Sequence, residues 1–124
     1  MRNAEETGTL KTTEYLKNNF ERKYVKLDDL KNKLKEAGSK LVVIDFFAVW
    51  CGPCKMIGPM IEDLAKDMQD IVFLKVDVDE CEDVAAEYEI SSMPTFVFIK
   101  ESKVLETFSG ANIEKLKNTI QQHK

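Results

Sequence analysis

Short apolar runs alternate with amphipathic helical segments along most of the chain, a pattern typical of parallel strands joined by crossover helices. The run Leu41 to Phe47 is almost continuously apolar, which predicts a central strand covered on both faces. A second run, Ile71 to Val78, is also rich in β-branched residues. Thr95 to Ile99 and Val104 to Phe108 flank a short polar turn and predict an antiparallel hairpin. The pattern therefore predicts an α/β fold.

Apolar residues at helical spacing predict the helices between these strands. The predicted helices are Asp28 to Ala37, a long helix after Cys51, Glu82 to Tyr88, and Ile113 to Gln122. We expect Pro59 to kink the long helix without ending it, because proline removes one backbone hydrogen bond and clashes with the preceding turn. Lys23 to Leu27 is a weaker first strand. The apolar residues that repeat at helical spacing in the long helix are Met56, Ile57, Met60, Ile61, Leu64, Ala65 and Met68.

The length of the chain, 124 residues with 44% hydrophobic content, is enough for a single core. We expect one domain at residues 22–124, preceded at 1–21 by an extension that is partly disordered or forms a short helix. The longest apolar stretch, Leu41 to Trp50, is too short to span a bilayer and contains Asp45. We therefore expect no membrane span.

Charge and the amino-terminal residues restrict partners and location. The net charge is −4 with acids and bases interspersed, so the chain offers no basic face to nucleic acid. The first residues contain no apolar core of a secretory signal, and their acidic pair argues against a mitochondrial presequence. Three cysteines do not form the framework of a small secreted fold. We expect a monomer in the cytoplasm, with or without entry into the nucleus.

The sequence Trp50-Cys51-Gly52-Pro53-Cys54 places two thiols one helical turn apart, directly after the most apolar run. A thiolate is the reactive form of cysteine, and a helix beginning at Cys51 would stabilise it through unpaired backbone N–H groups and the helix dipole. We expect Cys51 to be open to a visiting chain and Cys54 to be more sheltered. Pro53 suits the first helical turn, and Gly52 allows close approach of another chain. This arrangement favours a redox-active dithiol.

Two other interpretations of the cysteine pair are weaker. A zinc site needs four ligands, and beyond the pair the chain offers only Cys81 and His123. A purely structural disulfide is also disfavoured, because closing so short a loop removes little chain entropy. We expect no metal, and we expect His123, near the end of the chain, to be solvated.

Asp45 lies inside the most apolar run of the sequence. Burying an ionised carboxylate is costly, so its pKa should be raised unless a partner compensates. Such groups are frequently functional. The alternatives are that Asp45 faces a solvated strand end or pairs with Lys75.

Five short motifs together resemble the thioredoxin family of animals, over about residues 22–124. The resemblance implies the thioredoxin fold, a central mixed five-stranded sheet flanked by helices on both faces. It also implies a thiol-disulfide oxidoreductase that reduces protein disulfides generally, has no bound cofactor, and receives electrons from NADPH through thioredoxin reductase. The motifs are Trp50-Cys51-Gly52-Pro53-Cys54-Lys55, Val42-Val43-Ile44-Asp45-Phe46, Asp77-Val78-Asp79, Met93-Pro94-Thr95-Phe96 and Phe108-Ser109-Gly110-Ala111.

The resemblance also implies roles for individual residues. Cys51 matches the thiol that attacks a target disulfide, and Cys54 matches the thiol that resolves the mixed disulfide and leaves a Cys51–Cys54 bridge. Asp45 matches a buried acid that accepts the proton of Cys54 through a water molecule. Lys75 aligns with a lysine near that acid, although a strand lysine is more often solvated. The implied targets are disulfide-containing proteins such as peroxiredoxins and ribonucleotide reductase.

A substrate groove is implied beside the cysteine pair. The resemblance gives a cis Met93–Pro94 bond that exposes the Met93 backbone for strand-like pairing with a target. A trans Pro94 that ends a loop is the alternative, and core packing is the alternative for Trp50 and Met93. The residues expected to support or line the groove are Trp50, Gly52, Pro53, Met93, Pro94, Thr95, Gly110 and Ala111.

Cys81 has two possible roles, an inert residue of the core or a regulatory thiol. Other animal members of the family have cysteines at the positions of Tyr88 and Ser92, which excludes oxidation or dimerisation there in this chain. The alternative function is a thioredoxin-like binding or chaperone subunit whose cysteines are incidental. A disulfide-forming oxidase is disfavoured by Pro53, where oxidising relatives commonly have histidine.

Overall fold

The structure, a computed structural model, describes residues 27–124. Every helix and strand predicted within that range is present, and the predicted bounds agree to within a residue. Helices and strands alternate until a final β-hairpin and helix. The elements are α1 (Leu27–Ala37), β1 (Val42–Phe47), α2 (Gly52–Asp67), β2 (Val72–Asp77), α3 (Glu82–Glu87), β3 (Thr95–Lys100), β4 (Lys103–Ser109) and α4 (Ile113–His123).

The strands form a mixed sheet in the order β2-β1-β3-β4. Strand β1 pairs in parallel with β2 and antiparallel with β3, and β3 pairs antiparallel with β4. The sheet has four strands within residues 27–124. Residues 23–26 of the predicted fifth strand lie outside the described residues. Its last residue was predicted wrongly, because Leu27 is the first residue of α1.

Two apolar clusters lie on opposite faces of the sheet. Ile44 and Phe46 of β1 pack with side chains of α1 and α3, whereas Val43 packs with side chains of α2 and α4. Successive side chains of a strand point to opposite faces, so Asp45 lies on the same face as Val43. Each fully buried Phe or Ile side chain contributes about 1.5–3 kcal/mol to folding. The two-sided burial explains why β1 is almost continuously apolar, and it directs Asp45 towards α2.

Helix α2 continues through Pro59, which confirms that this proline does not end it. The kink remains a prediction. Ile57 and Ile61 are buried, but Met56 and Met60 are 56% and 44% exposed. The apolar residues predicted at helical spacing in α2 therefore include exposed methionines as well as the buried face of the helix. Within residues 27–124, no helix combines the length and apolar character needed to cross a bilayer.

His123 is not simply solvated, so that expectation was wrong. Its Nε2 lies 2.9 Å from Glu106 Oε1, and Lys100 Nζ donates to the His123 carbonyl oxygen at 3.1 Å. The last turn of α4 therefore lies against the β3–β4 hairpin, a contact between segments that local sequence patterns do not encode.

Candidate functional site

The cysteine pair lies where β1 leads into α2. Cys51 is the N-cap of α2, and its sulfur accepts a hydrogen bond from the Cys54 N–H at 3.2 Å. The two cysteines form a disulfide. Pro53 occupies the first turn of the helix, as expected. The helix begins at Gly52, directly after Cys51, and the N–H that its first turn directs to the Cys51 sulfur is that of Cys54.

The expected difference in exposure between the two cysteines is absent in this disulfide form. Cys51 is 5% exposed and Cys54 is 7% exposed, because the bonded sulfurs cover each other and pack against Phe47 and Ala48. Their surroundings nevertheless differ. The Met93 carbonyl oxygen lies 3.6 Å from Cys51 Sγ, whereas Cys54 lines a cavity on the other side.

The loop that faces Cys51 contains a cis Met93–Pro94 bond, as the resemblance implied. The Gly110 N–H donates to the Pro94 carbonyl oxygen at 2.9 Å, which fastens the loop after β4 to this one. Gly110 has a φ of 112°, a backbone conformation that favours glycine. The two loops therefore form one wall beside the cysteine pair.

Thr95 does not line the groove through its hydroxyl, contrary to expectation. The residue is 3% exposed, and its Oγ1 donates to the Ser92 carbonyl oxygen at 2.6 Å. Ser109 Oγ lies 2.7 Å from Thr95 Oγ1. Because a hydroxyl has one proton, Ser109 is the donor of that second bond. Thr95 therefore braces the cis-proline loop from inside.

Trp50 is the most exposed large apolar residue at the site, with 65% of its surface accessible. Its Nε1 donates to Asp79 Oδ2 at 2.8 Å, so the indole is held in place without being buried. Core packing is therefore wrong for Trp50. It is partly right for Met93, which is half-buried against the cysteine cluster. Gly52, Pro53 and Gly110 are exposed, whereas Ala111 is half-buried against the core cluster that includes side chains of α2 and α4.

Asp79 was not among the predicted site residues, although it belongs to a quoted motif. It follows β2, and the tryptophan that it binds precedes α2. The signal in the sequence that could have indicated Asp79 is its position just after β2, the strand that pairs with β1. Only the pairing of β1 with β2 places that acid beside Trp50.

Asp45 is buried, with 5% of its surface accessible, and its Oδ1 has no hydrogen-bond partner among the residues described. Burial raises the pKa of Asp45 from 3.8 to about 7, and the positive charge of Lys75 opposes this more weakly. Lys75 is in register with Asp45 on the neighbouring strand, and its Nζ lies 4.6 Å from the centre of the Phe47 ring. A solvated strand end is therefore the wrong interpretation of Asp45.

A cavity of about 390 Å³ behind the disulfide brings Asp45 and Cys54 together. The sequence predicted both residues but not the cavity, because its walls come from three separate segments. Its lining also includes Phe47, Ala48, Val49, Lys55, Gly58, Pro59, Glu62 and Lys75.

Comparison with known proteins agrees with this geometry. The family model for thioredoxin matches residues 21–122. This chain belongs to the thioredoxin family. The thioredoxin of Equus caballus is 58% identical over 87 residues, which are 70% of this chain and 83% of that protein. Thioredoxin-T of Drosophila melanogaster is 55% identical over 97 residues, 77% of this chain and 62% of that protein.

Solved thioredoxin structures match the fold. The X-ray structure of Fasciola hepatica thioredoxin superposes with a TM-score of 0.79 at 50% identity, covering 80% of this chain and 95% of that one. The reduced thioredoxin pre-protein of Schistosoma mansoni gives a TM-score of 0.76 at 43% identity, covering 80% of this chain and 93% of that one. The predicted thioredoxin fold is therefore confirmed.

Membership of the thioredoxin family and the intact Cys51–Cys54 pair establish the reaction class. The chain is a thiol-disulfide oxidoreductase that reduces protein disulfides. Its targets are proteins that contain disulfides. A binding subunit with incidental cysteines is the weaker interpretation.

Two further features bear on the thioredoxin site. Cys81 remains a thiol and is 2% exposed within the core cluster on the far face of the sheet. That burial favours a core role over a regulatory one. Within residues 27–124, no three His, Cys, Asp or Glu side chains are grouped so that they could hold a metal ion.

Proposed function

We propose that this thioredoxin passes two electrons from NADPH, delivered by a thioredoxin reductase, to disulfides in many target proteins. The observation that carries the proposal is the position of Cys51. Its sulfur caps the first turn of α2, accepts the Cys54 N–H at 3.2 Å, and lies beside the Met93 carbonyl at the rim of an apolar surface. The N-cap position and the Cys54 N–H favour a thiolate at Cys51 once the pair is reduced.

The reaction divides into two exchanges between sulfur atoms. The Cys51 thiolate attacks one sulfur of a target disulfide, forms a mixed disulfide, and releases the other target sulfur as a thiolate. Cys54 then loses its proton and attacks Cys51 Sγ, which forms the Cys51–Cys54 bond and releases the second target thiolate. The target gains two electrons and the dithiol loses two. The reductase returns two electrons and reopens the bridge.

Asp45 accepts the proton of Cys54 in the second exchange. Both side chains line the same cavity, and water in that space can connect them. With a pKa of about 7, the Asp45 carboxyl can both take up and release a proton near neutral pH. Lys75, in register with Asp45, keeps this pKa from rising further.

The rim of the site suits extended protein substrates of varied sequence. Trp50 offers an exposed apolar surface, and the backbone of Met93 can pair with the main chain of a target. Main-chain pairing demands no particular side chains, so targets of the peroxiredoxin and ribonucleotide reductase kind are compatible. The chain acts as a monomer in a reducing compartment, the cytoplasm with or without the nucleus.

The test is NADPH-coupled insulin reduction with a thioredoxin reductase, comparing wild type with Cys51→Ser. We expect the substitution to reduce the rate to the uncatalysed background. Cys81→Ser is the matched control, since that thiol lies outside the site, and it should retain wild-type activity. A second arm with dithiothreitol as reductant separates a failure of the reductase from a failure of the chemistry. Activity that survives Cys51→Ser would contradict the proposal.

A further inference from the structure

Gly58 lies in the interior of α2, where glycine is a poorer helix former than alanine. Nothing in the packing explains its presence. Apart from its two neighbours in sequence and the nearby backbone of its own helix, a Cβ atom added at Gly58 would meet no described atom within 4 Å. Its φ is also not positive, since the residues with positive φ in the described chain do not include it. A helix-stabilising alanine would fit this position, so neither packing nor backbone conformation requires glycine there.

Gly58 lines the cavity that holds Asp45 and Cys54, and it is half-exposed, so it lies at the mouth of that cavity. The charged groups around the cavity are Lys55 and Glu62 from α2 and Lys75 from β2. The remaining walls are largely apolar. Cys54, Gly58 and Glu62 follow one another at intervals of four residues and all line the cavity, so a side chain at position 58 would lie on the face of α2 that borders it.

We propose that Gly58 keeps this cavity open to water, so that solvent can connect Cys54 with Asp45 and carry the proton away. Gly58 would then be a positioning residue for the second exchange, and the inference rests on the proposed role of Asp45. In that exchange the proton of Cys54 moves through water to the Asp45 carboxylate. The electron pair stays on the Cys54 sulfur and forms the bond to Cys51. Asp45 afterwards releases the proton to water in the cavity.

A larger side chain at position 58 would displace that water and remove solvent from Asp45. Less solvation disfavours the charged carboxylate, so the titration midpoint of Asp45 should move to higher pH. The resolving step should then reach its maximal rate at higher pH as well. Helix stability should change in the opposite sense to catalysis, because alanine and leucine are better helix formers than glycine.

The test compares Gly58→Ala and Gly58→Leu with Asp63→Leu, a control that adds bulk on the exposed side of the same helix. Three quantities are measured: the ¹³C NMR titration of the Asp45 carboxyl in the reduced protein, the pH profile of single-turnover insulin reduction, and Tm. We expect Gly58→Leu to shift both pH midpoints upward by about one pH unit. Gly58→Ala should give a smaller shift and a higher Tm, and Asp63→Leu should leave both midpoints unchanged.

Unshifted midpoints in the Gly58 variants would overturn the inference, as would a lower Tm for Gly58→Ala, which would show that packing requires glycine. If Gly58→Leu does not fold, the two pH midpoints of Gly58→Ala decide whether the inference holds. Asp45→Asn separates this inference from the proposed function. A rate profile unchanged by Asp45→Asn would refute the role of Asp45 itself. A profile that Asp45→Asn flattens while the Gly58 variants match wild type would refute only the role of Gly58.

Discussion

Asp45 and Asp77 are buried aspartates on neighbouring parallel strands, yet their surroundings differ. Asp77 is 2% exposed, and its Oδ1 accepts the N–H groups of Asp79 at 2.9 Å and Glu80 at 3.4 Å. Asp45 is similarly buried, but its Oδ1 has no partner among the described residues. One carboxylate is satisfied by the turn that follows its strand, and the other faces a cavity beside a reactive disulfide.

The comparison separates a structural acid from a functional one. A buried carboxylate that accepts backbone N–H groups fixes a turn and stabilises the fold. A buried carboxylate without hydrogen-bond partners destabilises the fold. Such a group is typical of sites where its protonation and deprotonation serve a reaction. Burial alone does not distinguish the two cases. Hydrogen-bond partners do.

The largest expected effect is on the pH dependence of stability through Asp45. Its pKa is raised from 3.8 to about 7, so between these pH values the folded protein holds a proton that the unfolded chain releases. The contribution of Asp45 to stability is therefore fully present below about pH 4 and is lost as pH rises to 7, a total of about 4 kcal/mol.

Asp45→Asn should remove this dependence. Urea unfolding of the disulfide form at pH values from 4 to 9 should show the variant gaining stability relative to wild type as pH rises, up to a plateau above pH 7. Stability curves that stay parallel would show that the carboxyl of Asp45 titrates alike in the folded and unfolded states.

Asp77→Ala should have the next largest effect, and here the substitution should lower the stability of the fold. It removes the charged acceptor of two partly buried hydrogen bonds in the turn after β2, at a cost of about 1–3 kcal/mol at pH 7. Asp63→Ala, an exposed aspartate on α2, is the control and should change stability by less than about 0.5 kcal/mol. A similar small change for Asp77→Ala would remove the distinction between the two buried acids.

The smallest expected effect concerns Asp79. Its backbone N–H binds Asp77, and its side chain accepts the hydrogen bond from Trp50. Asp79→Ala removes an exposed hydrogen bond to the indole and should cost no more than about 1 kcal/mol. Trp50 is the only tryptophan of the chain, so its fluorescence reports this contact directly. We expect Asp79→Ala and Asp77→Ala to change the emission in the same direction and Glu80→Ala to leave it unchanged. Emission unaffected by Asp79→Ala would contradict the contact.

Most of the fold could be predicted because apolar periodicity specifies which residues face the core. The near-continuous run at β1 predicted a strand covered on both faces, and the structure places core clusters on both sides. The same periodicity overestimated the buried face of α2, since Met56 and Met60 are exposed. Methionine is apolar enough to extend the pattern without being required in the core.

The chemistry of the site could be predicted only where it is local in sequence. Cys51 and Cys54 share one helical turn, and Asp45 stands out as a charge in an apolar run. The inward hydroxyl of Thr95, the Trp50–Asp79 bond and the contact of His123 join segments far apart in the chain. Local pattern carries no information about such contacts.

The central claim is that the two cysteines have unequal roles, with Cys51 attacking and Cys54 resolving. The most direct measurement incubates the reduced Cys54→Ser and Cys51→Ser variants separately with an oxidised protein substrate, followed by mass spectrometry and peptide mapping. The account predicts that Cys54→Ser accumulates a one-to-one mixed disulfide through Cys51, whereas Cys51→Ser accumulates almost none. Equal trapping by both variants, or an adduct that forms through Cys54, would contradict it.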